Sequence, residues 1–117
     1  MARRDLTGAV DFTTLERMTG DDAAVSEEVL ALFVQQAEMW SALMEPKGDG
    51  WRDAVHTIRG AASGIGANAL AAACAEAEVA EPSLRPAHRD HVQDALNLAL
   101  ADVAAYRHEL MLRSLRG

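Results

Sequence analysis

The chain has 117 residues, enough to bury one modest core and too few for two independent domains, so a single domain over 1–117 is expected, with short flexible ends at about 1–8 and 114–117. Half of the residues are hydrophobic and a quarter charged, as in folded chains, and the dominance of alanine over aromatics favours an all-α fold. A net charge of −7 with dispersed arginines argues against nucleic acid as a partner and for another protein; no apolar run nears the ~18 residues of a membrane span, and the lone Cys74 excludes an intramolecular disulfide, so the reading is a soluble, cytoplasmic protein.

Along the chain, Asp11 can cap a short helix carrying Phe12, Leu15 and Met18, and Thr19-Gly20-Asp21-Asp22 supplies a stop and a fresh N-cap. Leu30, Phe33, Ala37, Trp40 and Met44 then recur at threes and fours, the stripe of a long amphipathic helix, with Glu27 and Glu28 in its early turns. Pro46 to Gly50 is loop composition, and Trp51, Val55, Ile58, Ala62 and Ile65 repeat the stripe on the helix that carries His56. Gly64 and Gly66 interrupt that run, and Asn68 is placed to cap a helix through Leu70, Ala73, Cys74, Ala77 and Ala80. Pro82 and Pro86 bound a loop before a last helix with Val92, Leu96, Ala99, Val103, Tyr106 and Leu110, where Arg107, Arg113 and Arg116 suit the negative end of the dipole. Four such helices with short connections make an antiparallel four-helix bundle, with the short N-terminal helix covering one end.

The segment from His56 to Gly66 is the most informative. At about 100° per residue, Arg59, Gly60 and Ser63 fall near the azimuth of His56, while Val55, Ile58, Ala62 and Ile65 point the other way. Transfer of a phosphoryl group to histidine needs a neutral imidazole with an accessible nitrogen, nearby positive charge and open space for the donor. His56, Arg59 and Gly60 meet these needs in order, and a mid-helix glycine, costing about 1 kcal/mol against alanine, asks for a reason. Taken singly, a helical histidine is usually a solvated side chain, an arginine a surface charge, and glycines spaced like Gly60 and Gly64 a close helix contact. Their joint occurrence opposite the core stripe points to phosphoryl chemistry. Among the four histidines, only His56 has this setting.

This segment resembles the signature of histidine-containing phosphotransfer (HPt) domains: His56, the aliphatic Ile58, the cation Arg59, Gly60, the small Ala61 and Ala62, then Gly66. Upstream, Gly20-Asp21-Asp22, Glu27 to Leu30 and Phe33 look like the family's second helix, and Gly50-Trp51 like the lead-in to its histidine helix. The resemblance runs from about Asp11 into the last helix, which matches by pattern alone. It implies that His56 accepts a phosphoryl group through Nε2, that Arg59 assists electrostatically, and that Gly60 leaves room for the partner; Ser63 is a weaker candidate, as a hydrogen-bonding neighbour on the docking face. It further implies a monomer that shuttles phosphoryl groups between receiver domains of response regulators or hybrid kinases in a two-component phosphorelay. The Mg²⁺ and the phosphorylated aspartate would belong to the receiver, leaving this chain with no cofactor or metal of its own. No Gly-rich phosphate loop or Walker lysine is present, so no ATP site and no autokinase activity are expected.

Three alternatives compete. The phosphoacceptor domain of a sensor kinase usually has an acid directly after its histidine and a proline beyond, whereas Thr57 follows His56 and the next proline is Pro82. A metal-binding bundle would use His88, His91 and His108, but the Glu-x-x-His pairs of di-iron bundles are missing. A helical adaptor that only docks a receiver is opposed by the intact His56.

Overall fold

The computed structural model describes residues 7–116. Helix α1 spans Phe12–Thr19, α2 Ala23–Ser41, α3 Trp51–Ile65 and α4 Asn68–Glu78; a 3₁₀ turn, Pro82–Leu84, leads into α5, Arg85–Arg116. Among the described residues there is no strand. Helices α2 to α5 form the antiparallel bundle, each packing on its chain neighbour, with α2 against α5 closing the ring, and α1 rests on α2 and α3.

The stripes read from the sequence form the core. Leu30, Phe33 and Ala37 of α2 meet Val55, Ile58, Ala62 and Ile65 of α3, Leu70, Ala73, Cys74 and Ala77 of α4, and Val92, Leu96, Ala99 and Val103 of α5. Helix starts follow local chemistry. The Asp11 carboxylate accepts from Thr13 N, and that of Asp22 from Ala24 N and Val25 N at 2.9 and 3.1 Å. Gly20 and Gly66 end α1 and α3 with positive φ, as expected of left-handed caps. Gly66 does more. Its carbonyl accepts from Asp11 N at 2.8 Å, and an added Cβ would stand 2.3 Å from the Asp11 carbonyl oxygen, so α1 docks at the end of α3 only because residue 66 has no side chain.

Several boundaries and assignments differ from expectation. Met18 is 55 % exposed, because α1 buries only Phe12 and Leu15. Met44 is buried, but it lies past the end of α2, where the chain folds back over the core. Asn68 is the first residue of α4 and not its cap; Ala67 holds the cap position without a side-chain bond. Pro86 does not bound a loop but lies in the first turn of α5, where its missing N–H costs nothing. Arg107 is well inside α5, and instead of answering the dipole it forks onto Glu27 of α2 through Nε at 3.0 Å and a second nitrogen at 2.6 Å; this pairing, slightly offset by burial, raises its pKa. The expected flexible ends fall partly outside the described residues, at 1–6 and 117. Within them, Thr7 N donates to the buried Asp102 carboxylate at 2.6 Å, and α5 continues to Arg116, so regular hydrogen bonding reaches further than composition suggested.

No helix among the described residues is long and apolar enough to cross a membrane.

Candidate functional site

Helix α3 has a clean division of faces. Val55, Ile58, Ala62 and Ile65 are buried, whereas His56, Arg59, Gly60, Ser63 and Gly64 are exposed, as the azimuths require. The His56 side chain is 71 % exposed. Space beside it is open, since a Cβ built on Gly60 or on Gly64 would meet nothing within 4 Å. Close helix packing therefore does not explain either glycine.

The partner of the imidazole comes from α4 and escaped the sequence reading. His56 Nδ1 lies 3.3 Å from Glu78 Oε2, and Arg59 donates to Glu78 Oε1 at 3.2 Å, so one carboxylate links both residues of α3. Partial burial pushes the Glu78 carboxyl up, but the hydrogen bond from Arg59, then that from His56, outweighs it and holds the pKa below its ordinary 4.5. Glu78 is thus an anion at neutral pH. An anion at Nδ1 favours the tautomer with the proton there, which leaves the Nε2 lone pair facing solvent. A sequence signal existed: Glu78 sits in the last turn of α4, where the helix dipole disfavours acid, so it needed a compensating cation.

The position of Glu78 is fixed by the residue before it. Trp51, buried at the start of α3, donates its indole N–H to Ala77 O at 3.0 Å, and Arg85 lies 5.6 Å above the same ring while donating to Pro46 O. The antiparallel α3 and α4 pair thereby brings the end of α4 beside the second turn of α3. Cys74, one turn before Glu78, is a buried thiol pushed up to about 12, chiefly by burial and then by Glu78.

The other predicted residues fall into place less directly. Arg59 is not a free cation but half of a pair with Glu78. Ser63 shares the face of His56 but stands seven residues on, about 10 Å along the helix, so it borders the face and does not reach the ring. His88 and His91 lie on α5 beyond Pro86 and His108 near its far end, and among the described residues no three His, Cys, Asp or Glu side chains converge as a metal site.

A small helical bundle with one anchored imidazole open on its flank belongs to the class of proteins that can take up a group delivered by another macromolecule. Comparison makes the class specific. The Hpt domain family model matches residues 28–106. The crystal structure of histidine phosphotransferase ShpA from Caulobacter crescentus is similar with a TM-score of 0.78, at 46% sequence identity, over 92% of this chain and 99% of that one. No curated protein sequence matches. The chain therefore belongs to the Hpt domain family, and its function is phosphotransfer in a phosphorelay. Hpt domains are phosphotransfer intermediates and not kinases, and they work with receiver domains of two-component systems.

Proposed function

We propose that His56 is the residue that carries the phosphoryl group, through Nε2, between aspartate-bearing receiver domains. The observation that supports this most is the His56 Nδ1 to Glu78 contact at 3.3 Å on an imidazole otherwise open to solvent. In this reading the Nε2 lone pair attacks the phosphorus of a receiver's aspartyl phosphate. The N–P bond forms as the P–O bond to the aspartate breaks, and the receiver carboxylate leaves with the electron pair. The ring becomes a phosphoimidazolium whose Nδ1–H faces Glu78, so the carboxylate meets the positive charge where it develops. Onward transfer is the same step reversed onto a second receiver.

Arg59 assists by offsetting Glu78. Without it, an uncompensated carboxylate would stand beside the incoming phosphoryl group and repel it. Gly60 leaves the approach open, and the face it shares with Ser63 receives the partner, with Val79, 80 % exposed next to Glu78, as an apolar contact at its border. The Mg²⁺ needed for the chemistry is the receiver's, this chain supplies no cofactor, and it acts as a cytoplasmic monomer that takes no phosphate from ATP.

The test is incubation of the protein with phosphorylated receiver domains, followed by mapping of acid-labile, base-stable phosphate. Wild type should acquire it on His56, and His56→Gln should keep its fold and acquire none. Labelling of the variant would refute the assignment, and labelling of wild type by ATP alone would refute the claim that it is only a relay.

A further inference from the structure

Two arginines lie on the exposed face of α3, and the structure distinguishes them. Arg59 is committed to Glu78. Arg52, one turn before His56, is exposed and has no hydrogen bond or ion pair among the described residues. At 100° per residue it falls about 40° from His56, on the side of Arg59, while Asp53 falls on the opposite flank. Helical side chains lean toward the N-terminus, so the imidazole of His56 lies over the turn that Arg52 begins. Another cation near this end of α3, Arg85, is engaged by the Trp51 ring and Pro46 O.

The trio of neutral His56, Arg59 and Glu78 carries no net charge before transfer, yet a phosphoryl donor arrives as an anion. We propose that Arg52 is a substrate-contacting residue of the site: its guanidinium, uncommitted in the resting protein, binds the oxygens of the phosphoryl group as that group reaches Nε2 of His56. Arg52 then supplies the attraction that Arg59 has spent on Glu78, and it acts on any anionic phosphodonor, whatever protein delivers it. This rests on His56 being the acceptor.

A small donor isolates the effect from docking. With phosphoramidate reacting in its ammonio form, Nε2 attacks phosphorus, the P–N bond of the donor breaks and ammonia leaves with the electron pair of that bond, while Nδ1 keeps its proton. Rates of phospho-His56 formation, followed by peptide mapping at low ionic strength, should fall about three- to tenfold in Arg52→Ala, the size of one solvent-screened charge at contact. Arg52→Lys should recover most of the loss, added salt should shrink the difference, and Arg17→Ala, on α1, should match wild type. Equal rates in wild type and Arg52→Ala, or an equal loss in the lysine and alanine variants, would overturn the inference while leaving His56 as acceptor. Phosphate found on a different histidine would overturn it together with the reading on which it rests.

Discussion

In the proposed reading, which nitrogen of His56 acts as nucleophile depends on a residue of another helix. Glu78 takes Nδ1 and Arg59 together, so the site is a linked trio in place of the histidine and free cation that the α3 segment suggests by itself. Gly60 carries a sharper consequence. Because a Cβ there would meet nothing, Gly60→Ala should raise folding stability by up to about 1 kcal/mol on helix propensity. Gly60→Glu should fold normally while slowing transfer from a receiver, through bulk and through repulsion of phosphate. Denaturant melts beside transfer assays check both; a destabilised alanine variant or an unimpaired glutamate variant would contradict the account. At Cys74, burial and the nearby Glu78 raise the thiol from 9.0 to about 12, so the native protein holds it protonated where an unfolded chain ionises. The stability from this term is complete below pH 9 and declines as pH rises toward 12. At pH 8.5 the native thiol should resist alkylation and react promptly in denaturant, which timed mass spectrometry would register.

At the scale of elements, Gly60 within α3 and Gly66 at its C-terminal cap should respond with opposite signs. Gly66 has φ of 87° and an Asp11 carbonyl oxygen where a Cβ would go, so Gly66→Ala must both strain the backbone and push α1 away. A loss of more than about 1 kcal/mol is expected from the left-handed conformation alone, measured in the same melts. The sequence announced the helices because their apolar residues recur at threes and fours, and it announced the exposed face because His56, Arg59 and Gly60 share an azimuth. It could not announce Glu78, since the pairing of α4 with α3 depends on where a two-residue turn and the Trp51 indole bond set the register. Nor could periodicity separate Met18, exposed, from Leu15, buried, because the last turn of an eight-residue helix can clear the surface it covers.

For the whole molecule, site and scaffold are well separated. Residues 7–10 and α1 fasten to α5 through Asp102, which accepts from Thr7 N and Val10 N, and through Tyr106, stacked on Phe12 at 4.1 Å and donating to Glu16 at 2.8 Å. These contacts close the end where α3 stops and leave the flank around His56 open. A carboxylate-anchored imidazole that presents Nε2 has a signature in ¹H–¹⁵N correlation spectra of the histidine rings, recorded before and after phosphorylation by a receiver. His56 should hold its proton on Nδ1 in the resting protein, then show phosphorus coupled to Nε2 with the Nδ1 proton retained. A resting proton on Nε2, or phosphorus on Nδ1 or on another histidine, would contradict that arrangement.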